Sequence, residues 1–487
     1  MVKAMDSSSR KILVSGSSRK EGLDDKVKKS LHCSTAEGTF NAAASSIFDT
    51  YLIPFAMALG ATSGEIGILT AVQNLANTLS QIPGAILGDY YSRKAIWMLS
   101  QVVGRIIFWI PILLLAVFNV QGAIIALIIF VGIQTFIIGL RAPAWASLMG
   151  DLVPASIRGR YFGNRNMITG LAGIAMTLGA GVIVSIYGFS EIFFIYIILG
   201  IIAAPIFMKM YEPPAKKTFH YKFRISIHPS QWSKTIATNK SLSIFTIYLF
   251  IMNFAILVAS PFYTVYMLKD LHIGYFIFSV ITILGALAHI VTFKYWGKIT
   301  DRYGSRKTFI VASAFGIFVP LLWAFVSDPI TASLVIIYDG VIFSGINQVA
   351  FNYLLDITPS DRRSQYVANH NFFVGMGVVF GALSGGILAT MFDGQTFLVF
   401  AGLQIVFLAS FVIRIFAVAL LPKISEIDVK HMKGTPIRDV FWQAMAVGPL
   451  KGINNTLHYT FKQPYELEKG FKNNVKKIQY KIKMKTS

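Results

Sequence analysis

The sequence predicts an all-α integral membrane fold, with twelve transmembrane helices in two six-helix pseudo-symmetric bundles around a central cavity. Three observations carry this expectation. The apolar residues come in long blocks, the short loops alternate in Lys/Arg content, and the second half of the chain repeats loop patterns of the first.

Of 487 residues, 54% are hydrophobic and 14% charged, against about 25% charged in soluble domains. A helix needs ~20 apolar residues to cross a hydrocarbon core of ~30 Å. Twelve blocks meet that requirement, at 42–61, 66–88, 95–117, 122–149, 166–187, 190–210, 242–266, 275–297, 307–326, 331–356, 371–391 and 396–420.

The net charge of +21 is explained by its placement. The loops near 62–65, 118–121, 188–190, 267–274, 327–330 and 392–395 hold between them only Lys269. The alternate loops hold Arg93, Lys94, Arg158, Arg160, Arg165, the 211–241 stretch, Arg302, Arg306, Lys307, Arg362 and Arg363. Cytoplasmic loops retain Lys and Arg, so both termini are expected in the cytoplasm, in a multi-pass protein of the cell membrane. The basicity then serves topology and faces the anionic inner leaflet of the bilayer, and nucleic acid is not an expected partner.

The domain order follows: a basic tail at 1–41, a bundle at 42–210, a linker at 211–241, a bundle at 242–420 and a basic tail at 421–487. The first tail lacks the apolar core of a signal peptide and reads as disordered. The lone Cys33 excludes an intramolecular disulfide. In the second tail, 436–447 has one apolar helical face, which leaves an interfacial helix and a disordered basic tail both open.

Two loop patterns recur. Asp89 is followed by Arg93 and Lys94, and Asp301 by Arg302, Gly304, Arg306 and Lys307. Asp151, Pro154, Arg158, Tyr161, Asn164 and Asn166 recur with identical spacing as Asp356, Pro359, Arg363, Tyr366, Asn369 and Asn371. At these residues the chain resembles the major facilitator superfamily. Its loop signature G-x-x-x-D-R-x-G-R-R is matched by Gly297, Asp301, Arg302, Gly304 and Arg306, and in degenerate form by Asp89, Arg93 and Lys94. The resemblance spans roughly 40–420. It implies two bundles that rock about a site near the midplane, giving alternating access to a small solute.

The charged loop residues Asp89, Arg93, Asp151, Arg158, Asp301, Arg302, Arg306 and Arg363 read as a cytoplasmic gate. Carboxylates there would sit against helix N-termini for about 0.3–1 kcal/mol each. Charges inside the spans are costly in lipid, by at least ~2.5–3.5 kcal/mol at a helix centre. Asp49, Arg141, Asp339 and His289 are therefore the candidates for coupling protons or binding solute, with Asp49 paired to Arg141 at the same depth. Arg105 reads as structural, and Lys294 and Arg414 as snorkelling cations. Tyr51, Gln73, Asn77, Trp145, Asn253, Tyr263 and Gln348 are candidates to shape the cavity.

No metal-ligand cluster, nucleotide loop or nucleophile–base pattern stands in the sequence, so neither an enzyme nor a cofactor is expected. The expectation is a secondary active transporter, monomeric and proton-coupled (a symporter). A uniporter or exchanger of a charged metabolite, and a non-transporting sensor or lipid-handling protein on the same fold, remain as alternatives.

Overall fold

The computed structural model describes residues 24–107, 123–154, 157–213, 240–358, 363–397 and 399–424. The segment at 436–447 and most of the linker lie outside these residues, as does the side chain of Asp89 and that of Arg363.

The first helix, α1 (Asp25–Ala58), is capped by Asp24, whose carboxylate accepts from the Lys26 backbone N–H. It starts well before the predicted block at 42, so part of the expected disordered tail is helical. The reason is packing: Leu31, Ser34 and Glu37 on this extension are buried against protein, a setting that an apolarity search does not detect. Then α2 (Ser63–Tyr90) opens on a reciprocal Thr62–Glu65 capping box. Next come α3 (Arg93–Gln101), continuing as a π-helical stretch Val102–Ile107, α4 (Ala123–Gly139) and α5 (Arg141–Leu152). The first half ends with α6 (Arg158–Ile186) and α7 (Phe189–Met208).

The second half comprises α8 (Lys240–Val265) with a π-helical end Tyr266–Asp270, α9 (Tyr275–Tyr303), α10 (Ser305–Gly316) and α11 (Phe318–Trp323). It continues with α12 (Pro329–Ile357), α13 (Arg363–Met391) and α14 (Leu403–Val418). A two-residue hairpin, Thr396–Phe397 against Phe400–Ala401, precedes α14, which therefore begins later than the predicted 396. Both α6 and α13 begin several residues before their predicted blocks, because the Arg- and Asn-containing loop motifs form their first turns.

Among the described residues, nine helical spans are long and apolar enough to cross a membrane. Neither α1 nor α2 is among them. Both carry polar rows, Glu37, Asn41, Ser45 and Asp49 on α1 and Gln73, Asn74 and Asn77 on α2, running from the buried Glu37 to the exposed Asp49 and Asn77.

Helices α1–α7 pack mainly among themselves, as do α8–α14, and the two sets meet along two seams, α2 with α13 and α6 with α9. On the first seam, a Cβ added to Gly67 would lie 2.6 Å from the Cα of Gly386, so only glycine permits this approach. Ala71, Val379 and Ala382 bury one another just beyond it. On the second seam, the Tyr51 hydroxyl lies 2.5 Å from Ser279 Oγ, and the Phe189 and Tyr275 rings meet edge to face at 5.3 Å. These contacts lie toward the end of the helices remote from both termini, where α1 finishes and α14 starts. Toward the other end, an added Cβ on Gly88, Gly159 or Gly163 would meet nothing within 4 Å, and Met167 is 57% exposed.

Candidate functional site

The polar residues of α1 follow one another at every fourth position, Glu37, Asn41, Ser45 and Asp49. At 3.6 residues per turn this spacing makes a slowly winding stripe, and its partners come from the π-helical stretch, α5 and α6. Arg105 reaches it from the π-helical stretch, a helix irregularity frequent at functional sites. Its Nη2 donates to Asn41 Oδ1 at 2.5 Å and to Ser45 Oγ at 3.4 Å. Its guanidinium lies over the Tyr196 ring, 4.8 Å from the centroid. Arg105 is 1% exposed, and its Nε and Nη1 have no hydrogen-bond partner among the described residues.

Two further arginines join the stripe. Arg141 donates from Nη1 to Gln101 Oε1 at 2.5 Å and from Nη2 to Asn41 Oδ1 at 3.3 Å, and it sits over the Trp97 ring. Arg165 lies 3.8 Å from the buried Glu37 carboxylate, donates to the Ser34 carbonyl, and covers the Trp145 ring at 4.8 Å. It passes so close to Gly38 that any Cβ there would overlap its guanidinium.

Beyond Arg105 the stripe opens into a cavity of about 280 Å³. Its walls carry Asp49, Gln73, Asn74, Asn77, Gln134 and Thr135, besides Arg105 and Tyr196. Asp49 is solvent-accessible there. Gln134 donates to the Tyr196 hydroxyl at 2.8 Å, while its buried Oε1 and the Thr135 hydroxyl have no partner among the described residues.

This geometry corrects the expected Asp49–Arg141 pair. Arg141 is tied to Asn41, two turns and about 12 Å along α1 from Asp49. The guanidinium that acts electrostatically on Asp49 is that of Arg105, which the sequence reading had set aside as structural.

The other candidates are dispersed. Gln73 and Asn77 line the cavity. Tyr51 is fully buried in the seam, hydrogen-bonded to the Thr177 carbonyl at 2.9 Å as well as to Ser279. Trp145 lies beside Arg165, outside the cavity wall. In the second half, Asp339 is under the influence of Arg414, which is buried and donates to the Gly316 carbonyl at 2.7 Å, so Arg414 does not snorkel. Tyr263 stacks on Trp323 at 4.6 Å, Asn253 donates to the Leu249 carbonyl in its own helix, and Gln348 packs against Gly297 between α9 and α12. His289 is half-buried against Phe293.

Of the gate residues, Arg93 is sequestered within the first half. It meets Asp151 at 2.5 Å and Glu212 at 3.4 Å and donates to the Pro213 carbonyl. Ser92 and the Arg93 backbone N–H both donate to Glu212 at 2.7 Å. Burial pushes the Glu212 carboxyl up, but these hydrogen bonds and the Arg93 charge outweigh it and hold the group below its ordinary value. Arg158 donates to the Gly150 and Val153 carbonyls, Arg306 to the Pro422 carbonyl, Arg302 lies against the Tyr303 ring, and Asp301 is exposed.

The comparisons with known proteins agree with this architecture. An uncharacterized MFS-type transporter of Methanocaldococcus jannaschii is 27% identical over 345 residues, covering 69% of this chain and 84% of that protein. The nucleoside transporter NupG superposes with a TM-score of 0.62 at 15% identity, covering 83% of this chain and all of that one. A bacterial homolog of the human lysosomal transporter Spinster, inward-facing and occupied, gives 0.60 at 15% identity over 85% of this chain and all of that one. A bacterial homologue of the iron transporter ferroportin, inward-facing, gives 0.61 at 11% identity over 82% and 98%. Likeness at such identities establishes the fold. Matching the Major Facilitator Superfamily profile over residues 38–338 and 245–453, the chain is a multi-pass membrane protein that belongs to this family of transporters.

Proposed function

We propose that this chain is a secondary active transporter that moves a small polar solute by alternating access and couples it to protons through Asp49. It works as a monomer in the cell membrane, with twelve spans, halves at 42–210 and 242–420, and both termini in the cytoplasm. On that topology the Gly67 and Tyr51 seam contacts lie outside, and we read the open space about Gly159 and Gly163 and the exposed Met167 as a parted, inward-facing cytoplasmic end.

The observation that carries the reading is the placement of Asp49 on the cavity wall, with Arg105 as its nearby cation. The proton affinity of such a carboxylate depends on how closely the guanidinium approaches. A solute that displaces Arg105 changes proton binding at Asp49, and the proton reciprocally changes solute binding. The partnerless Arg105 nitrogens also suit an exchanger in which the charges bind solute directly without carrying a proton.

Proteoliposomes separate the two, using a solute found by thermal-shift screening of metabolites. Asp49→Asn is expected to keep exchange of solute across the membrane and to lose accumulation driven by a pH difference. Undiminished pH-driven accumulation by this variant would remove Asp49 from the coupling and the proton-coupled reading with it.

A further inference from the structure

Resting on the transport reading, we propose that the cavity of the first half binds a small hydroxylated carboxylate, a monoanion whose charge is taken by Arg105 while Asp49 takes up the proton that accompanies it.

The argument begins with what the cavity lacks. Arg105 is almost wholly buried, yet only Nη2 is used within the protein, on Asn41 and Ser45. One face of its guanidinium is covered by Tyr196. The Nε and Nη1 groups carry N–H donors with no acceptor. A buried cationic donor left unmatched is costly, and a carboxylate is the small group that best matches a guanidinium in charge and hydrogen bonding. Beside it, among the described residues, Gln134 Oε1 has no donor and the Thr135 hydroxyl no partner. Hydroxyl groups on the solute would satisfy both. The amides of Gln73, Asn74 and Asn77 extend the same chemistry across the cavity.

Size narrows the class. Ligand pockets commonly run about 300–1,000 Å³, and this one, at about 280 Å³, lies at the small end of that range, which suits a small metabolite.

Charge then fixes the stoichiometry. Without solute, the Arg105 cation is balanced by the Asp49 carboxylate. With a monoanion on Arg105, Asp49 loses its compensating cation, and one proton drawn from the solution on the loading side neutralises it. Arg105 plus solute carboxylate, with protonated Asp49, carries the same net charge as Arg105 plus ionised Asp49. Arg141, Arg165 and Glu37, which share the stripe, are the same in both states, so the empty and the loaded site carry the same net charge, which suits a site inside a bilayer, where each added charge is expensive. One anion and one proton cross together, and the cycle moves no net charge.

Purified protein is titrated with lactate and glycerate, and in parallel with propane-1,2-diol and glycerol, which keep the hydroxyls and lack the carboxylate. The acids are expected to raise the thermal midpoint and the neutral partners to leave it unchanged. Arg105→Gln should weaken acid binding at least tenfold in Kd, with Arg105→Lys recovering part of it. Lactate or glycerate uptake into proteoliposomes should respond to a pH difference and ignore a potassium diffusion potential. Binding of the diols as tight as that of the acids, binding of none of the four, or uptake that follows the potential would each overturn the assignment. If Arg105→Gln fails to fold, the comparison of acids with diols on the unaltered protein still decides. Accumulation of an uncharged solute under a pH gradient would sink this inference and leave the transport reading standing, whereas loss of all solute movement would remove both.

Discussion

Replacing Tyr51 by Phe should loosen the closed end of the molecule by a calculable amount. The Tyr51 hydroxyl bonds Ser279 Oγ at 2.5 Å across the seam and the Thr177 carbonyl at 2.9 Å within its own half. Ser279 Oγ also reaches the Tyr275 carbonyl at 2.7 Å. Each hydroxyl has one proton to donate. Either Ser279 donates to Tyr51 and Tyr51 to Thr177, or Tyr51 donates to Ser279 and Ser279 to Tyr275. Both arrangements contain one hydrogen bond between the halves. Phe keeps the ring that meets Phe278 edge to face, and any bond to Thr177 is lost from both the closed and the open state, so the loss between the halves is that one bond, a net ~1 kcal/mol. Since 1.4 kcal/mol is a factor of ten, the population open at this end should rise about fivefold. In a Cys33→Ser background, the alkylation rate of an Ala71→Cys thiol reports that population, because Ala71 is buried in the other seam. Ser279→Ala should give a similar rise, and the double variant little more, as expected of one shared interaction. An unchanged alkylation rate in both single variants, or fully additive effects, would refute the latch.

Two further outcomes test the packing and the loop charges. Gly381 presses on the Phe254 carbonyl of α8, so that an added Cβ overlaps it; Gly381→Val should cost about 1–3 kcal/mol and lower the thermal midpoint, whereas Gly163→Ala, with open space around it, should not lower it. The folded-state carboxyl of Glu212 lies below its ordinary value of 4.5, so its stabilisation is present above that pH and is lost as pH falls through the lowered value. Glu212→Gln should therefore lower the thermal midpoint at pH 7, for a loss of about 1 kcal/mol after allowing for partial exposure, and the gap to the unaltered protein should close in acid.

Much of the fold was legible because lipid imposes a simple rule on the residues that face it. The apolar blocks, the loop alternation and the repeated loop motifs led to the helices and to the family. The start of α1 was hidden because Leu31, Ser34 and Glu37 are buried against other helices, and a row of polar residues facing protein looks like a solvated tail. Once α1 is extended back to Asp25, the spacing of Glu37, Asn41, Ser45 and Asp49 is readable as a polar stripe, and it leads directly to the cavity. Gln134 and Thr135 gave no signal, since single polar residues in an apolar helix also serve ordinary packing. The choice between Arg105 and Arg141 as neighbour of Asp49 depends on how three helices align in depth. A π-helical stretch in one of them and a break at Leu140 in another set that alignment; Pro143 marks the break, since it has no N–H for the Gly139 carbonyl, but the π-helical stretch has no sequence signature.

The two ends of the molecule are built from different materials, and that difference bears on how the proposed cycle runs. The closed end is held by glycine contacts such as Gly67 on Gly386 and by the Tyr51–Ser279 bond. Such contacts need van der Waals separation and vanish once the helices part by a few ångströms. The parted end carries charge, with Asp301 and Arg302 exposed. Charge attraction acts over a longer range and weakens with salt. Arg93 is already committed to Asp151 and Glu212 inside the first half, so it acts there as a brace for the start of the linker. On the proposed cycle, closure of that end would rest on Asp301 and the arginines near it, in keeping with the better preserved copy of the loop motif in the second half. Such a transporter would close one side by shape and the other by charge. Added salt should therefore shift it toward the state seen here.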